Sequence, residues 1–229
     1  YFDFPSLTST RVSVETRLQE LVAQLTRLPE ADEPPPTTLQ ILGRNQRERD
    51  WQRLLFHFLS PDAGHGLDHA LLERLLSSLS ERDDLDYTFS RLDLQDVRIE
   101  TEVVASNEMR PDAVLWVSGD WFICWELKLW ASETGTQTEA YLDAASFPSI
   151  GLAKDDVPVG DRYYIYLAPE NASPPAATEF VQISWEWIAS EIEAFLARSH
   201  GGYPARTTAQ LDDFSSTIRQ ELAMTDHQE

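Results

Sequence analysis

Apolar residues recur every three or four positions in three stretches of the N-terminal part of the chain. The first stretch, over residues 10–28, predicts an amphipathic helix that ends before Pro29. The same spacing predicts a helix over 45–59 and another over 69–79, with a glycine-containing turn between them. Three amphipathic helices are therefore expected before any stretch with strand character.

A proline-rich segment separates the first of these helices from the other two. Pro34, Pro35 and Pro36 cannot continue a helix and indicate an extended linker. We therefore predict an N-terminal helical arm with its linker over residues 1–36 and a single main domain over 37–229. The apolar face of the arm is suited to pack on the domain, to bind a protein partner or to form a homodimer.

The period of the apolar pattern changes to two from Asp96, which predicts a strand with one polar face. The next two apolar runs, over 113–117 and 121–125, are continuous, as is typical of central strands that are covered on both faces. A turn over 118–120 separates them. Beyond this hairpin the pattern predicts a helix over 132–145, strands over 162–168 and 180–184, and helices over 186–198 and 208–224.

The order of these elements describes an α/β fold with a mixed central sheet flanked by helices. The chain is 42% hydrophobic, which is enough for such a core. No apolar run approaches the roughly 20 residues that a membrane span needs, and the N-terminus lacks a signal-peptide pattern. The single cysteine, Cys124, lies in an apolar run, where packing is its expected role. We predict a cytoplasmic protein with no membrane association.

The chain is strongly acidic. It contains 18 basic and 39 acidic residues, for a net charge of −21, and its only lysines are Lys128 and Lys154. An acidic, lysine-poor surface around a full core indicates adaptation to a salt-rich cytoplasm, where like charges are screened over short distances. We therefore predict a halophilic source, with an ordinary acidic protein as the alternative.

Charged residues mark one end of the predicted hairpin. Asp112 directly precedes its first strand, and Glu126 and Lys128 follow the apolar run of its second strand. Glu126 and Lys128 are two positions apart, so their side chains emerge on the same face of the sheet. Asp112 joins that face only if the hairpin loop has an odd length or a bulge, and a three-residue loop over 118–120 sets it directly opposite Glu126.

Two carboxylates held side by side repel each other unless a cation lies between them. Oxygen ligands of this kind suit Mg²⁺, for which Mn²⁺ is a substitute. A bound Mg²⁺ lowers the pKa of a water and neutralises charge on a phosphate, and a neighbouring lysine can position either one. The three residues therefore predict metal-assisted chemistry on a phosphate. A buried ion pair of Lys128 with Glu126 or Asp112 is the alternative.

Pro111-Asp112, the hairpin and Glu126-Leu127-Lys128 resemble the motif of the PD-(D/E)xK nuclease superfamily. Both halves of the motif fall on adjacent predicted strands, with helices before and after them. The resemblance implies a restriction-endonuclease-like αβββαβ core and a magnesium-dependent nuclease that acts on DNA in restriction, defence or repair. It also implies that Asp112, Glu126 and Lys128 are catalytic and that the two acids bind the metal.

The resemblance extends to the helix predicted after the hairpin. Glu133, Gln137 and Tyr141 are spaced four apart and form one stripe on that helix. The family often carries a Gln and a Tyr there, so Gln137 is a candidate catalytic residue and Tyr141 a candidate nucleic-acid contact. A solvent-facing polar stripe is the alternative.

Many members of the family also place an acid on the first core helix, where this chain offers Glu48 and Asp50. Helical projection favours Glu48 as a third metal ligand and catalytic residue, because Asp50 lies at the edge of the apolar arc. Acids are also common at helix starts for electrostatic reasons alone, which is the structural alternative. Glu102 on the first strand is a further candidate.

His57 and His65 lack the spacing of a metal motif and are assigned turn or capping roles.

A DNA substrate conflicts with the acidic charge, because phosphate binding usually rests on basic surfaces. Several arginines expected around the proposed site offset the conflict locally: Arg44, Arg47, Arg49, Arg53, Arg74 and Arg110. Of these, Arg44, Arg47 and Arg110 are the predicted nucleic-acid contacts.

The alternative function is a catalytically silent nuclease-fold subunit that binds DNA or assembles with a partner. The acidic surface favours this alternative, whereas the intact Asp, Glu and Lys set favours the enzyme.

The halophile hypothesis predicts how the fold responds to salt. Transfer from molar to millimolar KCl removes the screening between acidic side chains, so we expect the protein to unfold. Circular dichroism spectra recorded in the two buffers measure this loss. A spectrum that is unchanged in millimolar KCl contradicts the hypothesis.

Overall fold

The computed structural model describes residues 34–82, 93–130, 135–199 and 201–225, together with Arg17, Phe89 and Glu133. The chain divides after Pro36, and every element given below belongs to the unit from Thr37 to Glu229. The helix predicted over 10–28 lies outside the described residues. The role of the arm in homodimer formation or partner binding therefore stays a prediction.

The helices and strands of the described residues follow one another along the unit with short connections. None of these helices combines the length and the apolar content that a membrane span needs. In chain order the elements are α1 (Thr38–Ile41), α2 (Glu48–Leu59), α3 (Ala70–Ser80), β1 (Arg98–Thr101), β2 (Ala113–Val117), β3 (Trp121–Leu127), α4 (Gln137–Asp143), β4 (Ser146–Phe147), β5 (Leu152–Ala153), β6 (Arg162–Ala168), β7 (Val181–Ser184), α5 (Trp185–Ser199) and α6 (Ala205–Thr225).

Five of the strands form a mixed sheet in the order β1-β2-β3-β6-β7. Strands β1, β2 and β3 are antiparallel neighbours, whereas β3, β6 and β7 run parallel to one another. The central strand β3 is buried along its whole length, as its continuous apolar run predicts. The predicted α/β fold with a mixed central sheet flanked by helices is confirmed.

Apolar clusters cover both faces of this sheet. On one face, residues of the strands pack with residues of α2, α3, α5 and α6, among them Trp51 and Trp185. The alternate residues of the same strands, such as Phe122 and Cys124, pack on the other face with Tyr141 of α4. Cys124 is fully buried, so its predicted packing role is confirmed. A charged residue on either face is therefore flanked by apolar side chains.

Several elements end at positions that differ from the prediction. Helix α2 begins at Glu48 rather than at 45, and α4 begins at Gln137 rather than near 132. Strand β3 continues beyond its apolar run and ends at Leu127, within the Glu126-Leu127-Lys128 segment where the sequence places the end of the strand. Strands β4 and β5 form a separate two-stranded sheet, and each is too short to leave a periodic pattern in the sequence.

His65 fixes the turn between α2 and α3. The residue is buried, and its Nδ1 accepts a hydrogen bond of 3.0 Å from the backbone N–H of Leu67. The other ring nitrogen, Nε2, therefore carries the proton and donates to the carbonyl of Ser60 at 2.7 Å. The turn role predicted for His65 is confirmed.

An aromatic cluster joins α2, α5 and α6 to the end of β3. The rings of Trp51 and Trp185 meet edge to face with their centroids 5.2 Å apart, and the ring of Phe214 packs against both. The indole N–H of Trp185 donates a hydrogen bond of 2.8 Å to the carbonyl of Lys128. The cluster therefore holds the first turn of α2 and the start of α5 close to the residue that follows β3.

Replacing Trp185 with Phe removes the indole N–H while it keeps an aromatic ring in this cluster. The carbonyl of Lys128 loses its donor and the smaller ring leaves a cavity, so we expect the free energy of unfolding to fall by about 2–4 kcal/mol. Urea unfolding measures this loss. The matched control is Trp187→Phe, since Trp187 is only partly buried. An equal loss in both variants would contradict the role given to Trp185.

Candidate active site

The turn between β2 and β3 sets two acids opposite each other. Val117 pairs with Trp121 across a loop of three residues, Ser118–Asp120. Continued to the other end of the hairpin, this register places Asp112 directly opposite Glu126. The three-residue loop that the sequence requires for a shared site is confirmed.

Glu126 is a buried acid whose two oxygens both meet protein donors. The residue is 2% exposed. Its Oε1 lies 2.5 Å from Nζ of Lys128, and its Oε2 lies 2.9 Å from the hydroxyl of Tyr141. The ion pair that the sequence left open as an alternative is therefore present. It lies on the same face of the sheet as Asp112, so it does not exclude a shared site.

Asp112 and Glu48 each turn one carboxylate oxygen toward a backbone N–H near the end of β3. Oδ2 of Asp112 accepts from Leu127 at 2.7 Å, and Oε2 of Glu48 accepts from Leu129 at 2.8 Å. Glu48 reaches this edge of the sheet because it is the first residue of α2. The second oxygen of each acid makes no hydrogen bond within the described residues.

Burial and mutual repulsion act on the two facing acids. Burial, followed by the charge of Glu126, raises the pKa of Asp112 to about 8, with the Leu127 N–H acting in the opposite direction. Burial also raises the pKa of Glu126, although its contacts with Lys128 and Tyr141 oppose the rise. A cation between the acids would remove this electrostatic cost. The cluster is therefore electrostatically suited to bind one.

Lys128 is a charged group in this environment rather than a base. Burial is the largest single effect and lowers the pKa of Lys128, but Glu126, Glu48 and Asp112 together outweigh it, so the pKa is raised above its ordinary value. The negative charges of Glu48 and Asp112 act in the same direction as Glu126. Lys128 is therefore protonated at neutral pH.

Tyr141 connects Glu126 to the loop that precedes Asp112. The residue is 1% exposed, and its hydroxyl lies 2.9 Å from Oε2 of Glu126 and 3.0 Å from the carbonyl oxygen of Arg110. The hydroxyl has one proton, so it can donate to only one of these two acceptors at a time. When Glu126 is protonated, Glu126 can donate to the Tyr141 oxygen while the Tyr141 hydroxyl donates to the carbonyl of Arg110. The predicted contact of Tyr141 with nucleic acid is wrong, because the side chain is buried. Tyr141 instead orients the carboxylate of Glu126.

The polar stripe predicted on α4 is shorter than expected. Because α4 begins at Gln137, Glu133 is not part of the helix. Its carboxylate accepts from the backbone N–H groups of Thr138 at 2.6 Å and Ala176 at 2.8 Å, so Glu133 caps the first turn of α4. Gln137 lies one turn before Tyr141 and therefore on the same side of the helix.

The donor chemistry of the cluster fits a hard divalent cation. Asp112 and Glu48 each present one carboxylate oxygen, which is the ligand type that Mg²⁺ prefers. Among the described residues, no group of three or more His, Cys, Asp and Glu side chains is already arranged to hold a metal ion. Each oxygen of Glu126 accepts one hydrogen bond from a protein donor and keeps a second lone pair with which it can bind a cation.

Arg44, Arg47 and Arg110 remain available near the acids. Arg47 and Arg110 are exposed, and they directly precede Glu48 and the Pro111-Asp112 pair in the chain. The Arg44 side chain is 50% exposed and lies 4.0 Å from Asp50. Asp50 thus faces an arginine on the surface, and Glu48 is the acid of α2 that reaches the cluster, as helical projection predicts.

Arg49 and Arg74 are held by other acids. Arg49 forms an ion pair of 3.1 Å with Glu102, so this further candidate acid lies on the surface beside an arginine rather than in the cluster. Arg74 forms an ion pair of 2.8 Å with Glu191 and joins α3 to α5. The place predicted for Arg74 among the arginines around the site stays a prediction.

Gln52 and Trp185 shape the site through contacts that the spacing of residues along the sequence did not reveal. Gln52 is buried one turn after Glu48, and its Nε2 donates to the carbonyl of Asp112. Trp185 donates to the carbonyl of Lys128 in the same way. Every residue type offers a backbone carbonyl, so residue spacing cannot reveal such contacts. The one available signal is that Gln52 is polar within the apolar arc of α2.

Comparison with known proteins gives a family for this chain. A family model of the PD-(D/E)XK nuclease superfamily matches residues 37–222. No curated protein and no solved structure gives a match. The matched range contains the whole cluster of Glu48, Asp112, Glu126 and Lys128.

The raised pKa of Asp112 predicts a pH-dependent loss of stability. In EDTA, the neutral carboxyl contributes stability that is fully present below its ordinary pKa of 3.8 and is lost as the pH rises through about 8. Asn keeps an acceptor for Leu127 and carries no charge. We therefore expect the free energy of unfolding of Asp112→Asn, relative to wild type, to increase from pH 4 to pH 8.

Urea unfolding of both proteins across this pH range measures the difference. The matched control is Asp120→Asn, which makes the same change in the exposed loop of the same hairpin. If the difference between Asp112→Asn and wild type is independent of pH, burial does not raise the pKa of Asp112.

Proposed function

Because the chain belongs to the PD-(D/E)XK nuclease superfamily, we propose that it is a metal-dependent nuclease that hydrolyses phosphodiester bonds of DNA. One observation supports this proposal above the others. Asp112 and Glu126 face each other at one end of the β2–β3 hairpin, with the amine of Lys128 beside them. Glu48 reaches the same edge of the sheet from α2. Acids and an amine at one edge form the donor set of metal-assisted phosphate chemistry.

Asp112, Glu126 and Glu48 are the residues that would hold the cation. Mg²⁺ fits their oxygen donors, and Mn²⁺ is the expected substitute. When bound, the cation supplies Lewis-acid polarisation of the phosphate and a water of lowered pKa. The backbone N–H groups of Leu127 and Leu129 fix one oxygen of Asp112 and of Glu48, which orients the other oxygen of each acid.

Lys128, Gln137 and Tyr141 have separate proposed roles beside these acids. Lys128 is protonated, so it acts as a donor that holds a phosphate oxygen or orients the attacking water. Gln137 donates hydrogen bonds to the same water or phosphate from the first turn of α4. Tyr141 holds Glu126 in place and does not touch the substrate, because its hydroxyl is engaged within the protein.

Arg44, Arg47 and Arg110 are the proposed contacts to the DNA backbone. They are exposed, and two of them adjoin the acids in the chain. The net charge of −21 opposes binding of a polyanion, and a bound divalent cation reduces that opposition locally. We therefore expect DNA binding to be weak without metal.

The proposed biological setting rests on family resemblance and on the composition of the chain. A role in restriction, defence or repair rests on resemblance to the family. A cytoplasmic location and a halophilic source rest on the composition of the chain. A homodimer or a protein partner bound through the N-terminal helix rests on the apolar pattern of residues 10–28.

A catalytically silent DNA-binding or assembly subunit is the second candidate function. Two observations favour it: the net charge of −21 and the engagement of both Glu126 oxygens by Lys128 and Tyr141. In such a protein the ion pair would be purely structural. Divalent cations would then neither bind at Asp112 nor compete with Lys128.

Cleavage assays separate these functions. Linear, circular and branched DNA would be incubated in high KCl with the wild type, in the presence of Mg²⁺, Mn²⁺ or EDTA. We expect cleavage with either metal and none in EDTA. Asp112→Asn removes a charged ligand and Lys128→Met removes the donor, so each variant should lower the cleavage rate by about a hundredfold or more.

Glu102→Gln is the matched control, because it neutralises an acid near the same end of the sheet whose carboxylate pairs with the exposed Arg49. This control should cleave at the wild-type rate. Cleavage that persists undiminished in both Asp112→Asn and Lys128→Met excludes the proposed site. A wild type that binds DNA and cleaves none of the substrates supports the silent subunit.

A further inference from the structure

Trp130 follows directly on the segment that carries Lys128. The carbonyl of Lys128 accepts a hydrogen bond of 2.8 Å from the indole N–H of Trp185. The backbone N–H of the next residue, Leu129, donates to Glu48 at 2.8 Å. Both residues before Trp130 are thus fixed to the helical layer. Consecutive Cα atoms lie about 3.8 Å apart, so the backbone of Trp130 lies at the edge of the candidate active site.

The side chain of Trp130 presents an aromatic surface to solvent beside this site. The residue is 42% exposed, whereas the preceding Leu129 is 1% exposed. Every other Phe, Tyr and Trp within the described ranges is buried or half-buried. The indole makes no ring contact within those ranges. A single exposed apolar side chain is common on protein surfaces, so it is the position of this ring that indicates a function.

Arg47 places an exposed cation beside the same part of the site. It directly precedes Glu48, and its guanidinium forms no ion pair within the described residues. In a chain with 18 basic and 39 acidic residues, an arginine without an acidic partner is suited to bind an anion from outside the protein. The hydrogen bond between Glu48 and Leu129 joins the two segments. Arg47 and Trp130 each lie one residue away from an end of that bond.

A cation and an exposed indole are the two groups that recognise a nucleotide without reading its sequence. Arginine binds the phosphate through charge-assisted hydrogen bonds, and an indole stacks on the face of a base. Inside a duplex the neighbouring base pairs cover both faces of every base, so a protein ring stacks on bases that are unpaired. Stacking also requires no net positive charge, which suits a protein with a net charge of −21.

We propose that Trp130 is a specificity-determining residue that stacks on an unpaired base of the DNA, while Arg47 binds a phosphate next to that base. The inference rests on the proposed function, because it assigns the substrate class of the same site. That class is DNA with unpaired nucleotides where it enters the site, such as a single strand or the single-stranded arm of a branched molecule. Closed circular duplex is a poor substrate.

Binding of single strands in EDTA tests the stacking contact. A fluorescent oligothymidylate and a deoxyribose-phosphate strand of the same length without bases would be titrated by anisotropy with wild type, Trp130→Leu and Trp130→Phe. We expect Trp130→Leu to weaken binding of oligothymidylate about tenfold, because it removes one base–aromatic stack. Trp130→Phe should stay within about threefold of wild type, because a phenyl ring still stacks. All three proteins should bind the strand without bases equally.

Two further variants separate stacking from other effects. Val159→Ala is the matched control, because it truncates a side chain that is 79% exposed. Val159 precedes β6, whose first residue pairs near the start of β3, so it lies at the opposite end of the sheet from Lys128. This control should bind both strands as wild type does. Arg47→Gln removes a phosphate contact and should weaken binding of both strands by the same factor.

Cleavage and fluorescence add two readouts that a purely structural tryptophan would not change. With Mg²⁺, Trp130→Leu should lower kcat/KM about tenfold for single-stranded DNA and leave the slow cleavage of relaxed circular duplex unchanged. Saturation with oligothymidylate should quench part of the tryptophan fluorescence of the wild type. That part should be absent in Trp130→Phe, although its affinity is kept. This comparison decides the question even if urea unfolding shows that Trp130→Leu is destabilised.

Each of four results would overturn the inference: no binding of oligothymidylate by the wild type, equal binding by wild type and Trp130→Leu, an equal effect of Trp130→Leu on the strand without bases, or a preference of the wild type for circular duplex. If DNA binding is unaffected but light scattering shows self-association that Trp130→Leu abolishes, the ring contacts protein and the inference is overturned.

Failure of the proposed function gives different results. A protein that binds oligothymidylate through Trp130 but cleaves no DNA refutes the nuclease and leaves the stacking contact intact. Metal-dependent cleavage that is independent of Trp130 refutes the stacking contact and leaves the nuclease intact.

Discussion

The pairing of β2 with β3 across a three-residue loop is the constraint on which the site depends. Side chains alternate between the two faces of a sheet, so a loop one residue shorter or longer would turn Asp112 away from Glu126. The surrounding contacts hold the two strand ends in this register. Gln52 binds the carbonyl of Asp112 and Trp185 binds the carbonyl of Lys128, which ties the start of one strand and the end of the other to the helical layer.

Burial gives the acids properties that the same residues would lack on the surface. Strand β6 covers the other side of β3, and α4 brings Tyr141 over the same face, so Glu126 is almost fully enclosed. Enclosure in a low-dielectric environment raises the pKa of each facing acid and increases the free energy gained when a positive charge arrives. Lys128 supplies that charge in this structure, and a divalent cation would supply it in a metal complex.

The sequence predicted the features that follow from the regular spacing of side chains along a strand or a helix. The continuous apolar runs predicted β2 and β3. A hairpin loop with an odd number of residues predicted that Asp112 faces Glu126. Helical projection favoured Glu48 over Asp50, because the period of a helix determines the direction in which each side chain points around its axis. Contacts between distant segments were not predictable in this way. The burial of Tyr141, the capping role of Glu133 and the ion pair of Arg74 with Glu191 depend on how elements pack, which spacing along one element does not encode.

The hydrogen bond from Leu129 to Glu48 joins residues 81 positions apart, and the strand beside Glu126 comes from later still in the chain. During synthesis, a chain that has emerged only as far as the hairpin holds Asp112 and Glu126 but has no β6 to enclose them. Fragments that end before Arg162 are therefore without the buried environment that the acids require. The enclosed pair of acids is therefore a property of the completed fold, which forms only when the later strand has joined the sheet beside the hairpin.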